Sequence, residues 1–132
     1  MGATFDLGYI AAALPDLIAG LGVTVVVSAL SMVFAIAIGI VGAALRMFRV
    51  PVVDQAVRLY VEFIRNTPLL VQIFFIFFGL PPLGIQLSPF WSGVLALTLW
   101  GGAFNVENFR GGFLAVASGL REAAFALGLG QW

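Results

Sequence analysis

The sequence predicts an all-α, polytopic membrane fold, with three transmembrane helices and one short cytoplasmic helix. Three observations lead to it. First, 62% of the 132 residues are hydrophobic and only 9% are charged, whereas soluble domains run at roughly 45–50% and about 25%. A soluble chain of this length still leaves about 30% of its surface in water, so only a bilayer accommodates this much apolar area. Second, Leu17 to Leu45 carries no charge over 29 positions, against the roughly 20 needed to cross about 30 Å of hydrocarbon. Third, the arginines (46, 49, 58, 65, 110 and 121) fall only between the first and second apolar runs or after the third.

Residues 1–16 are expected to be a periplasmic N-terminal segment. They hold Asp6 and Asp16 and no basic residue, unlike a cleaved signal peptide. The first span is expected over 17–45, starting at Pro15-Asp16, with Arg46 and Arg49 at the far interface. Its small residues, among them Gly20, Gly22, Ala35, Gly39, Gly42 and Ala43, favour close packing of helices inside a membrane.

Residues 52–66 have helical periodicity. Asp54, Arg58, Glu62 and Arg65 form a polar stripe of alternating sign, with spacings that permit ion pairs. The stripe is either a solvated face at the interface or a contact surface for a cytoplasmic partner.

The second span is expected over 66–85. Asn66 or Thr67 serves as its cap and Pro68 sits in its first turn. Gly79 and Pro81-Pro82 interrupt it, leaving an unbroken stretch of only about 20 Å. It therefore extends backwards past Pro68 as a kinked unit, or crosses where the bilayer is thin.

The third span is expected over 90–109, with Trp91 as an interfacial anchor. Near its inner end lie Asn105, Glu107 and Arg110. A carboxylate so placed is costly, and hence a functional candidate. Glu107 either pairs with Arg110 or lines a transport path together with Asn105. The remaining stretch, 118–132, is a cytoplasmic loop. In it Leu120, Ala123, Ala124 and Leu127 make one helical face beside Glu122, and Gly128 occupies the place of a left-handed helix stop.

Cytoplasmic loops collect arginine. The N-terminus and the 80–89 turn are therefore outside, and 46–67 and everything after about 110 inside. The chain has neither histidine, lysine nor cysteine, which excludes His-based hydrolytic triads, zinc sites and a Walker lysine. No cofactor is called for, and any ATP used is bound by another chain. Net charge is zero, so no overall field draws the protein to nucleic acid.

Three stretches carry a family resemblance. YVEFIRNTPLLVQIFFIFFGLP (60–81) resembles the start of the second core span in permease subunits of polar-amino-acid ABC importers. Glu122-Ala123-Ala124, followed after three residues by Gly128, resembles the first half of the Glu-Ala-Ala loop of importer permeases. Residues 17–46 are similar to the family's first span. The resemblance implies a type I importer permease core of normally five helices, in a bacterial inner membrane. This chain would supply its first three spans and part of the coupling loop, C-terminally truncated inside the motif.

The implied partners are a cytoplasmic ATP-binding subunit, a second permease subunit, a periplasmic amino-acid-binding protein and membrane lipid. Glu122 would be the charged contact of the docking helix, Ala123 and Ala124 its close-packing face and Gly128 its turn. Phe104 stands where the family pattern has tyrosine, while Glu107, Arg110, Gly111 and Gly112 match. Two other readings remain open. A small self-assembling channel or proton-coupled transporter would want a titratable carboxylate within a span, and 17–45 has none. A non-transporting truncated remnant would need only to insert.

Overall fold

The computed structural model describes residues 7–48, 50–115 and 118–128. Asp6 and the rest of residues 1–6, Arg49, and residues 129–132 of the expected coupling loop lie outside them. As expected, all regular structure among the described residues is helical. Helix α1 spans Leu7–Met47, α2 Pro51–Asn66 and α3 Leu69–Phe74, which continues as one π-helical turn, Phe75–Gly79. A 3₁₀ turn at Pro81–Leu83 precedes α4, Pro89–Ala115, and α5 covers Ser118–Ala126.

Helix α1 has 41 residues, about 60 Å of rise, or twice the hydrocarbon core. It is long and apolar enough to cross a membrane by itself. It does not begin at Pro15-Asp16 as expected, but at Leu7, with Pro15 inside it. The proline forfeits one backbone hydrogen bond, to the carbonyl four residues earlier. The alanines and leucines before it favour helix strongly enough to continue the element.

Helix α4 lies along the C-terminal half of α1, and small residues set their separation. A Cβ on Gly39 would stand 3.1 Å from the backbone carbon of Asn105 and 3.0 Å from the ring of Phe109. One on Gly42 would meet Val106 at 2.5 Å, and one on Gly102 would meet Ile38 at 2.8 Å. Ala35 of α1 stands opposite Gly101 of α4 in the same seam, and Ala35 and Ala43 are buried. Ser31 Oγ donates across it to the Val94 carbonyl at 3.3 Å. Only part of the small-residue run is used in this way, since nothing lies within 4 Å of a Cβ on Gly20 or Gly22.

Helix α2 packs Val61 and Ile64 against Ala103 and Val106 of α4, and Tyr60 Oη donates to the Leu99 carbonyl at 2.6 Å. The chain then turns through 105° into α3. The residue before a proline is forced toward extended backbone, and Thr67 has φ −102° and ψ 128°. The expected cap is therefore corrected. Thr67 Oγ1 reaches back to the Phe63 carbonyl at 2.8 Å instead of capping the helix that follows, and no side chain caps α3. Gln72 serves the corner in its place, its Nε2 donating to the Ile64 and Thr67 carbonyls at 2.9 Å each.

The helix within the expected 66–85 segment is Leu69–Gly79, about 15 Å long and half of a hydrocarbon core. Pro68 limits it at one end. At the other, Pro81, Pro82 and the left-handed Gly84, φ +84°, prevent its continuation.

The seam makes a prediction. Gly39→Val should cost at least about 1–3 kcal/mol, the usual range for overpacking, because the obstacle is backbone. Gly20→Val, in open surroundings, should leave stability nearly unchanged. Denaturation midpoints of the two variants in the same detergent check the contrast.

Candidate functional site

The charged residues gather where α1, α2 and α4 meet. Arg46 sits in the last turn of α1 and Asp54 in the first turn of α2, each favoured by the dipole of its own helix. The short link between the helices brings them together, and Arg46 Nε donates to Asp54 Oδ1 at 3.1 Å. Arg46 Nη1 also pairs with Glu107 Oε1 of α4. The second Glu107 oxygen accepts from Arg110 Nε and Nη2 at 3.0 and 2.9 Å. The second Asp54 oxygen accepts from Arg58 Nε at 2.9 Å and pairs with its Nη2 at 2.7 Å.

The result is a continuous run of five charges, Arg58–Asp54–Arg46–Glu107–Arg110, across three helices. Its centre is the most enclosed member, the Arg46 side chain being 7% exposed. A guanidinium withdrawn from water is costly unless well paired, and two carboxylates meet that need here. The Asp54 carboxyl is held below the usual carboxylate range, first by the hydrogen bond from Arg58 and then by that from Arg46.

A groove of about 410 Å³ opens beside this cluster between α2 and α4. Arg58, Glu62, Arg65, Asn66, Phe104 and Glu107 line it. The Arg65 guanidinium lies 4.9 Å over the Phe104 ring, which in turn packs 4.6 Å from Trp100. The ring that replaces the expected tyrosine lacks the hydroxyl yet keeps a face for the cation. Arg58 and Arg65 stand on the α2 wall, and Glu107, with both oxygens paired, on the α4 wall.

The sequence-predicted residues separate into two places. Asn105 and Glu107 lie two apart on α4 and so leave it in different directions. Asn105 meets Gly39 in the α1 seam, whereas Glu107 turns to Arg46 and Arg110. Of the two readings of Glu107, its pairing with Arg110 is present, and both its oxygens are engaged. Glu122, Ala123, Ala124 and Gly128 lie on or just after α5, which packs on no other element among the described residues. Leu120 and Leu127 of its apolar face are 67% and 79% exposed. Gly128 ends the helix with φ +76°, the left-handed stop its position predicts.

Sequence reasoning missed Arg46 as the hub, reading it only as an interface marker. A cation closing one helix, five residues before a proline-started helix with an acid in its first turn, was the available signal for its bond to Asp54. The bond to Glu107, 61 residues away, had none.

A long apolar helix seamed to a second by small residues, with an arginine cluster at one end, defines a helical membrane subunit. The chain belongs to the family of binding-protein-dependent transport system inner membrane components, whose model matches residues 35–132. It is 34% identical over 128 residues to the probable amino-acid ABC transporter permease protein PatM of Vibrio harveyi, covering 95% of this chain and 57% of that one. It is 36% identical over 132 residues to the L-cystine transport system permease protein TcyL of Bacillus subtilis, covering 95% and 55%. Against the glutamine transport system permease protein GlnP of Escherichia coli it is 35% identical over 130 residues, covering 97% and 59%. The chain thus spans rather more than half the length of these relatives. The fold is similar to a crystal structure of an amino acid ABC transporter with histidines, at TM-score 0.88 and 33% identity, covering 97% of this chain and 60% of that one.

The charge cluster makes a pH prediction. Because the folded Asp54 carboxyl titrates below its ordinary value near 3.8, its contribution is complete above that value. It is lost only as pH falls through the lowered one. Stability should therefore hold as pH falls from 7 toward 4 as far as Asp54 is concerned, and decline more steeply below. Asp54→Asn should flatten that acid limb, read from denaturation midpoints measured against pH.

Proposed function

We propose that the chain forms the membrane-embedded part of an ATP-driven importer for polar amino acids. ATP hydrolysis belongs to a separate cytoplasmic subunit. The observation that carries this reading is the agreement of fold, over 97% of the chain, with an amino acid ABC transporter. The named transport relatives lend it the substrate class. Three crossings, over about 17–45, 66–85 and 90–109, fit the apolar runs, the second of them as a bent path. A periplasmic binding protein hands the amino acid to a pathway formed with a second permease subunit, in which Asn105 and Glu107 line the inner end. Helix α5 is the docking element for the ATP-binding subunit. Its support is an exposed two-turn helix with an unpartnered apolar face, small residues at 123 and 124, and a glycine stop.

Two measurements test the proposal. In membranes that also contain the binding protein and the ATP-binding subunit, Glu122→Arg should lower uptake by about tenfold or more, equivalent to 1.4 kcal/mol of lost coupling. Membrane insertion should be unchanged. Normal uptake by the variant would remove the docking role from α5.

The orientation is tested separately, since the chain has no cysteine of its own. Gln86→Cys should react with a membrane-impermeant maleimide in intact cells, and Gln55→Cys only after permeabilisation. The reverse pattern would invert the topology.

A further inference from the structure

Helix α4 changes character at Arg110. Before it, Gly102, Ala103 and Val106 are buried against α1 and α2, and Glu107 is clamped by Arg46 and Arg110. After it, residues 111–115 are exposed, and nothing lies within 4 Å of a Cβ on Gly111 or Gly112. Glycine in a helix interior is disfavoured relative to alanine. At Gly39 and Gly102 close packing explains it, and at 111 and 112 no neighbouring atom of the described residues does. What two adjacent glycines supply there is backbone freedom, seven and six residues before the start of α5 at Ser118.

We propose that Arg46 is a positioning residue. Pinned between Asp54 and Glu107, it holds α4 rigid as far as Arg110 and leaves Gly111-Gly112 as the joint on which α5 swings. The charged groups facing Arg46 are Asp54 and Glu107, and each is tied outward, to Arg58 and to Arg110 respectively. Arg46 therefore closes a path of ion pairs from the first turn of α2 to the last firmly held turn of α4. A local opening of α4 that starts at its end must break this path before it reaches the seam at Asn105. Without the pin, movement of α5 would be absorbed by unravelling α4 rather than by rotation at the glycines. The value of the joint to coupling rests on the docking role proposed for α5. The mechanical claim does not.

Amide hydrogen exchange of the full chain in lipid nanodiscs tests it, because protection reports local opening residue by residue. The wild-type chain should be protected through Arg110 and lose protection from Gly111 onward. Arg46→Gln should move that boundary back toward Asn105, and Arg46→Lys should leave it in place. Gly111→Ala with Gly112→Ala should extend protection through 111–115. Should Arg46→Gln fail to fold, Glu107→Gln carries the same comparison, since Arg46 then keeps Asp54, and it too should retract the boundary. Protection continuing through 111–115 in the wild type overturns the proposal, as does a folded Arg46→Gln or Glu107→Gln chain with an unmoved boundary. The measurement uses neither uptake nor ATPase, so its failure leaves the transport reading standing, and failure of that reading leaves this result interpretable.

Discussion

The rest of the structure depends on how closely α1 and α4 approach. Within lipid no hydrophobic force draws helices together, and association comes from packing and hydrogen bonding. Gly39, Gly42 and Gly102 admit the facing helix to a distance that any Cβ would deny. That proximity buries Ala103 and Val106, which then form the shelf for Val61 and Ile64 of α2. It also carries Glu107 to the end of α1, where Arg46 waits. Packing, corner and charge cluster follow in that order from one seam.

The corner between α2 and α3 shows how a membrane protein keeps a break tolerable. Backbone groups freed at a proline must be satisfied by neighbours where water is scarce. Here the Gln72 amide takes the Ile64 carbonyl that α2 leaves open and the Thr67 carbonyl just beyond its end, and the Thr67 hydroxyl takes the Phe63 carbonyl. A polar side chain in an otherwise apolar segment thereby has a structural purpose. The π-helical turn that follows, Phe75–Gly79, ends in the Pro-Pro-Leu-Gly reversal that directs the chain to α4.

At the other end of the molecule, charge does what apolar packing does in the seam. A single ion pair on a surface is worth little. The Arg46 side chain is enclosed and shared between two acids, so its loss would take one partner from each, leaving Asp54 with Arg58 and Glu107 with Arg110. The contrast with α5 is sharp. Past Gly111-Gly112 the described residues show neither seam nor ion pairs, and Leu120 and Leu127 stand exposed.

Much of this was present in the sequence. Composition and the 17–45 run fixed a helical membrane fold, because hydrogen-bond satisfaction in lipid leaves a helical chain few alternatives. The periodicity of 52–66 and 118–127, and the stop at Gly128, were legible because they depend only on neighbours within two turns. The family motifs in 60–81 and 122–128 were likewise local. Other features needed the tertiary structure. The start of α1 before Pro15, the hand-over of capping from Thr67 to Gln72, the use of Gly39 but not Gly20, and the bond from Arg46 to Glu107 all turn on which surfaces meet. A local pattern states what a segment can become, whereas contacts between residues some 60 positions apart are settled only when one seam fixes the distance between two helices.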